Sequence, residues 1–129
     1  IDEKEKPYPD CPSGLPLIQH SLLLLLDFYR EGQLTLETIV DKTSHSLARI
    51  YGIKYRGFIR EDYWADLVLV DLNKNTTVTK DNLLYECAWS PFEGKTFNSL
   101  INMTIINGEL VYNHGKILTQ PSGKKIEFE

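Results

Sequence analysis

The sequence lacks any long hydrophobic run and any excess of basic residues. Its longest apolar run, residues 22–26, is far shorter than the roughly 20 residues that cross a bilayer, so we expect no membrane span and no membrane partner. With 14 lysines and arginines against 18 acidic residues the net charge is −4, which disfavours a nucleic-acid partner. No basic segment followed by an apolar one opens the chain, so we expect no signal peptide and a cytoplasmic location.

The sequence is also poor in residues that bind metals or act as nucleophiles. Its three histidines and two cysteines form neither a His-x-His nor a Cys-x-x-Cys motif. We therefore interpret His20 as a packed or exposed side chain rather than a metal ligand. Cys11 and Cys87 are expected to be free thiols, although a disulfide would form if the fold brought them together. Cys87 lies beside Trp89 with no histidine near it in sequence, so we expect a buried thiol without a nucleophilic role.

Helical patterns dominate the first half of a chain whose 129 residues, 42% of them hydrophobic, suit one domain with an ordinary core. The first helix should cover residues 15–31, because Pro16 suits a first turn and Gly32 suits the position after the end. Its leucines cover more than one face, so we expect burial on at least two sides. A second helix is predicted at residues 35–43 with Thr35 as N-cap, and a third at residues 46–51 with Ser46 as N-cap.

Strand patterns dominate the second half of the chain. The first strand is a near-continuous apolar run, which is typical of a buried strand. The last strands flank Asn107-Gly108, the dipeptide that favours a two-residue type I′ hairpin turn. The tail, residues 119–129, is expected to be exposed. The strands are predicted at residues 67–72, 76–79, 101–106, 109–113 and 115–118.

Asp66 and Asp71 flank the first predicted strand and could be read as paired catalytic carboxylates. No histidine or lysine cluster accompanies them, and carboxylates beside a strand more often cap turns or face solvent. We therefore interpret both as structural.

Two motif-bearing stretches identify a family. One has Trp-Ser-Pro-Phe-Glu-Gly at residues 89–94, in which Pro91 makes the loop rigid, followed by Thr-Ile-Ile-Asn-Gly at 104–108. The other has Gly-Phe-Ile at 57–59 and then Ala-Asp-Leu at 65–67. Together they resemble the C-terminal end of dihydroorotases, members of the amidohydrolase superfamily. The chain departs from the family pattern at Asp62, where a turn glycine is usual, and at residues 46–48, where Asn-Pro-Ala is common.

The resemblance implies an α+β fragment of a larger enzyme. Residues 1–56 would contain the last helices of a TIM-type (β/α)8 barrel after a mobile substrate loop at residues 1–14. Residues 57–129 would supply the C-terminal strands of an accessory β-sandwich domain. We expect the first helix to pack against the rest of its own barrel and the protein to be a homo-oligomer. The isolated fragment would otherwise self-associate through that apolar helix.

Ser13 and Gly14 are the candidate substrate-binding residues. The Pro-Ser-Gly turn at residues 12–14, ahead of a helix, can expose backbone N–H groups to an anion, although alone it is also typical of a plain loop. The resemblance implies that these two residues contact a carboxylate-bearing small molecule, dihydroorotate or carbamoyl-aspartate. It also implies one or two zinc ions whose ligands fall upstream. We expect no catalytic or metal-binding residue in this chain, which alone should be inactive.

Three alternatives to a dihydroorotase remain open. Ser-Pro-Phe with a following glycine also occurs in related cyclic amidases, so the parent could be an allantoinase or a hydantoinase. A noncatalytic dihydroorotase-like assembly subunit would carry the same motifs. A freestanding α+β interaction domain would share only the structure.

Overall fold

The computed structural model describes residues 2–119 and 123–129, and it has an α+β architecture in which helices precede two small antiparallel sheets. The predicted α+β class is confirmed. The helices are α1 (Ser21–Arg30), α2 (Leu36–Val40) and α3 (Ser46–Ile50), and the strands are β1 (Leu67–Asp71), β2 (Thr76–Thr77), β3 (Thr96–Phe97), β4 (Leu100–Ile106), β5 (Glu109–Asn113) and β6 (Lys116–Ile117).

The first helix begins later than residue 15, where the sequence predicts its start. A 3₁₀ turn at Ile18–His20 precedes α1. In an α-helix starting at residue 15, the backbone N–H of Gln19 would donate to the Leu15 carbonyl. It donates instead to the Tyr85 hydroxyl at 2.8 Å. A tertiary contact therefore displaces the predicted start. The end is as predicted, since Gly32 follows the last turn with φ +73°.

The second and third predicted helices are one continuous helical segment. A π-helical turn at Asp41–His45 joins α2 directly to α3. Thr35 is the N-cap as predicted, accepting a bond from the Thr38 amide at 3.1 Å. The prediction that Ser46 is an N-cap is wrong, because the residue before α3 is already helical and the Ser46 hydroxyl donates to Asp41 at 2.8 Å.

The larger sheet has the strand order β1-β4-β5-β6, and β2 pairs with β3 in the smaller one. The predicted hairpin is confirmed: Asn107 and Gly108 lie at φ 53° and 86° between β4 and β5, as a type I′ turn requires. The predicted extension is also present as β6, which pairs with β5. The predicted polar strand at residues 76–79 is shorter, because only Thr76–Thr77 pairs with β3.

The two aspartates beside β1 hold turns, as predicted. Asp66 accepts a bond from the Asn107 amide at 2.8 Å and is also paired with Arg56. Asp71 accepts a bond from the Asn73 amide at 2.8 Å. Asp62 adopts the left-handed conformation that its turn requires, with φ 63°.

The core lies where α1 meets the smaller sheet. Leu23 of α1 packs with Val78 and Phe97, and all three are buried. Beside them the buried Asp27 of α1 accepts a bond from the Asn98 amide at 3.0 Å and lies 3.5 Å from Lys95 Nζ. This core ties α1 to β3 and to the loop between β2 and β3.

Two surfaces that the sequence predicts to be buried are partly open. Val68 and Leu69 of β1 are 45% and 44% exposed, and only Leu23, Leu26 and Asp27 of α1 are buried. A cleft of about 720 Å³ separates α1 from the larger sheet. Leu22 of α1 and Val68 of β1 line this cleft, and the burial of both is incomplete within the described residues.

The tail is exposed where described, but it is not free. The Lys54 amide donates to the Glu127 carbonyl at 2.9 Å, and the Glu129 amide donates to the Gly52 carbonyl at 2.8 Å. Residues 120–122 of the predicted tail lie outside the described residues. No helix in the described ranges is long and apolar enough to cross a bilayer.

Candidate functional site

A pocket of about 470 Å³ brings the N-terminal loop together with the Trp-Ser-Pro-Phe loop. Ser13 and Gly14 lie on one side, and Cys87 and Trp89 lie on the other. These segments are more than 70 residues apart in sequence, so only the tertiary fold can join them. The pocket is therefore where the candidate substrate-binding turn meets the Trp-Ser-Pro-Phe loop.

Ser13 and Gly14 are both exposed, and Gly14 has φ +94°. Among described atoms, neither backbone N–H of this pair has an acceptor, so both can donate to a ligand. The expectation that a helix N-terminus directly follows the turn is wrong, since α1 begins only at Ser21. The turn thus offers amide donors, without the helix dipole that the sequence suggested.

The charges around the pocket come from residues 2–4, which belong to the predicted substrate loop at residues 1–14. Lys4, Asp2 and Glu3 all line the pocket. The Lys4 ammonium donates to the Pro12 carbonyl, which ties this segment to the turn. The alternation of acidic and basic residues indicated a mobile loop, but it did not single out Asp2, Glu3 or Lys4 as residues that line a pocket.

The opposite wall is built by a loop with several internal bonds. The Ala88 amide donates to the Tyr85 carbonyl at 3.0 Å and the Glu93 amide to the Ser90 carbonyl at 3.2 Å. Cys87 is exposed and free, so the prediction that it is buried is wrong: the turn directs it to the pocket rather than to the core. No histidine lines this pocket within the described chain, and the absence of a nucleophilic role for this thiol stays a prediction.

His20, for which the sequence left packed and exposed positions open, is packed and only 2% exposed. Its ring stacks on Phe97 with a centroid distance of 5.9 Å and an interplanar angle of 16°. Burial lowers the pKa of His20 below its usual value, so the ring is neutral at pH 7. The buried ring contacts Ser90 of the Trp-Ser-Pro-Phe loop and belongs to no metal-holding cluster among the described residues.

The described residues do not form a metal centre. No group of three or more histidine, cysteine, aspartate or glutamate side chains in the described ranges could hold an ion. Zinc, which the resemblance implies, therefore has no fitting donor set here.

Comparison with known proteins identifies relatives of one family. The model of the amidohydrolase family matches residues 13–111. The dihydroorotase of Pyrococcus furiosus is 36% identical over 114 residues, which are 88% of this chain and 27% of that protein. An allantoinase of Desulfitobacterium hafniense (strain Y51) is 36% identical over 103 residues, 80% of this chain and 23% of that protein. The predicted resemblance to dihydroorotases is confirmed.

A solved D-hydantoinase structure has the same fold over most of the chain. It superposes with a TM-score of 0.80 at 20% identity, covering 90% of this chain and 26% of that structure. At this identity the likeness concerns the fold alone. The chain thus spans less than a third of the length of each of these relatives.

Proposed function

This chain belongs to the amidohydrolase family, and we propose that it is the C-terminal part of a dihydroorotase. The complete protein would reversibly hydrolyse dihydroorotate to carbamoyl-aspartate in de novo pyrimidine biosynthesis, in the cytoplasm. The observation that carries this proposal is the pocket in which the Ser13-Gly14 turn and Trp89 lie together. The similarity to the Pyrococcus furiosus dihydroorotase supports the same reaction class.

In this proposal Ser13 and Gly14 bind the carboxylate of the substrate. Their two backbone N–H groups are available, and hydrogen bonds from backbone amides to a carboxylate are among the stronger neutral–charged contacts. Lys4 adds a positive charge at the same pocket, whereas Asp2 and Glu3 add negative ones. The amides therefore have to supply the selectivity for an anion, and the indole of Trp89 supplies an apolar surface for the ring.

We further propose the division of the chain into residues 1–56, the end of a (β/α)8 barrel, and residues 57–129, the C-terminal strands of a β-sandwich. The core formed by Leu23, Val78 and Phe97 would then be the junction of the two parts. The rest of the barrel would cover the 720 Å³ cleft between α1 and the larger sheet. The length of the relatives supports this occupant, because more than two thirds of the Pyrococcus furiosus dihydroorotase has no counterpart here.

Zinc, as one or two ions, would be held by residues of the complete protein outside this chain, because the described residues offer no site for it. The catalytic residues would lie there too, and this chain alone would be inactive. A homo-oligomer is the proposed natural state.

The test is an assay of the full-length protein and of the 129-residue chain on dihydroorotate, with and without a chelator. We expect chelator-sensitive hydrolysis by the full-length protein and none by the chain alone. Gly14→Ala should raise KM for dihydroorotate about tenfold, equivalent to about 1.4 kcal/mol, because the new methyl group strains the turn that presents the amides. Gly32→Ala is the matched control, since Gly32 has a similar positive φ and likewise nothing within 4 Å of an added Cβ.

A related cyclic amidase is the second candidate, favoured by the 36% identity to the Desulfitobacterium hafniense allantoinase. Parallel assays on allantoin and hydantoin separate the two candidates, because these rings lack the carboxylate of dihydroorotate. Hydrolysis of either ring without hydrolysis of dihydroorotate would refute the dihydroorotase assignment. A full-length protein inactive on all three would instead point to a noncatalytic assembly subunit.

A further inference from the structure

Gln19 is bonded at three points to the segment that leads into the pocket loop. Its side-chain amide donates to the Asn82 carbonyl at 2.8 Å, and its side-chain carbonyl accepts from the Leu84 amide at 2.8 Å. Its backbone amide donates to the Tyr85 hydroxyl at 2.8 Å. Gln19 therefore binds three residues of the 82–85 segment, namely Asn82, Leu84 and Tyr85.

The adjacent residue, His20, holds the next part of the same loop. His20 Nδ1 lies 3.4 Å from the Ser90 hydroxyl, and both side chains are buried. The Ser90 hydroxyl already accepts a bond from the Phe92 amide at 3.2 Å, so its own proton is available for Nδ1. The unprotonated Nδ1 of a neutral ring can accept this hydrogen bond from the Ser90 hydroxyl. The rings of Tyr85 and Phe92 pack edge-on against His20, each with a centroid distance of 6.0 Å.

The loop between these attachment points has a strained backbone and forms the pocket wall. Ala88 lies at φ 50°, a conformation that a non-glycine residue adopts only when its surroundings impose it. Its neighbours Cys87 and Trp89 line the pocket opposite Ser13 and Gly14. The attachment points therefore fix the wall on both sides of its strained residue.

The turn and the two attachment residues also lie on one short stretch of chain. Only residues 15–18 separate Gly14 from Gln19. The hydrogen bonds between Gln19 and the 82–85 segment therefore limit how far the Ser13-Gly14 turn can move from the opposite wall of the pocket.

We propose that Gln19 and His20 are positioning residues that set the spacing between the Ser13-Gly14 turn and the Cys87–Trp89 wall, and thereby the affinity for a carboxylate-bearing substrate. The identity of that substrate rests on the proposed function. The spacing role rests on the contacts alone. Neither side chain contacts the reacting atoms in this proposal, so both should act on substrate binding rather than on the chemical step.

The test uses the full-length protein carrying Gln19→Met or His20→Phe. Met keeps the length of Gln without its hydrogen bonds, and Phe keeps the ring of His without its nitrogen acceptor. Each should raise KM for dihydroorotate about fivefold with kcat within about twofold of the parent value, the pattern of lost binding rather than lost chemistry. Gln33→Met is the matched control, because Gln33 is exposed and, among the described residues, its side chain bonds only to Glu31.

A second readout does not depend on activity. Cys87 is exposed in the wall, so its rate of reaction with a thiol reagent, followed by peptide mass spectrometry, reports the wall position. Both variants should change this rate by about threefold or more, since thiol reactivity follows access and environment, and Gln33→Met should leave it unchanged. The proposal would be overturned if Cys87 reacted with the reagent at the parent rate in both variants. It would also be overturned if the Cys87 rate changed while KM for dihydroorotate stayed at the parent value.

These outcomes separate the two proposals. If the full-length protein carries no dihydroorotase activity, the proposed function fails, while altered Cys87 rates in both variants still support the spacing role. If the full-length protein is active but the loss of kcat/KM in both variants comes entirely from kcat, the positioning role is refuted and the proposed function stands.

Discussion

Gly57 lies where the chain passes from the helices to β1, and replacing it with alanine should destabilise the fold strongly. Gly57 has φ +80°, and an added Cβ would lie 2.6 Å from the Ala48 Cβ and 3.1 Å from the Ser44 carbonyl oxygen. Neither neighbour can rotate away, because one is attached directly to the backbone of α3 and the other is a backbone atom. Relief would require the helix and the turn to separate.

Two terms add to the cost of Gly57→Ala. A left-handed conformation costs an L-residue about 1–2 kcal/mol, and overpacking a close contact costs about 1–3 kcal/mol. The free energy of unfolding should therefore fall by about 2–5 kcal/mol in total. Gly32→Ala isolates the first term, because Gly32 has φ +73° with nothing within 4 Å of an added Cβ, and it should cost only about 1–2 kcal/mol.

Urea unfolding of the 129-residue chain at one fixed protein concentration, followed by tryptophan fluorescence, measures both losses. Replacing glycine with alanine also lowers the conformational entropy of the unfolded chain. This effect is the same in both variants, so it cancels when their free energies of unfolding are compared. If Gly57→Ala loses no more stability than Gly32→Ala, the steric argument is wrong.

Three further predictions concern single side chains. Burial lowers the pKa of His20, so as the pH falls the unfolded chain binds a proton near pH 6.5 before the folded chain does. The free energy of unfolding should therefore fall as the pH drops from about 7 through 6.5 toward the lower pKa of the folded state. Urea midpoints measured across this range should depend less on pH in His20→Phe. Thr35→Ala should cost about 0.5–2 kcal/mol by removing the N-cap, with the exposed Thr119→Ala as a near-neutral control in thermal melts. Asp27→Ala should cost about 1–3 kcal/mol because the Asn98 amide loses its acceptor, and urea unfolding that shows no loss would contradict the bonding assigned to this carboxylate.

Local patterns were sufficient where the chain's neighbours in sequence decide the conformation. Asn107-Gly108 forms the type I′ turn because both residues tolerate positive φ. Thr35 caps α2 because its hydroxyl reaches the amide three residues later. Residue chemistry also predicted the structural role of Asp66, and the motifs of the second half led to the amidohydrolase family. It left open whether His20 is packed or exposed, which the fold decides.

Local patterns failed where a distant partner competes with them. The start of α1 moved because the Tyr85 hydroxyl binds the Gln19 amide, and Ser46 lost its capping role because Asp41 binds its hydroxyl within a continuous helical segment. Cys87 was expected in the core, but the turn at Ala88 places it on the surface. The roles of Ser13 and Gly14 in binding remain predictions.

Sequence alone therefore established the α+β class, the hairpin, the family resemblance and two candidate residues, since each depends on local chemistry or on motifs readable along the chain. The pocket itself is a product of the tertiary fold. Residues 12–14 and 87–89 meet there because the core between α1 and the smaller sheet holds their segments together, and Gln19 and His20 bind the 82–90 segment only once α1 has packed. Contacts between residues so far apart depend on three-dimensional packing, which no local pattern specifies.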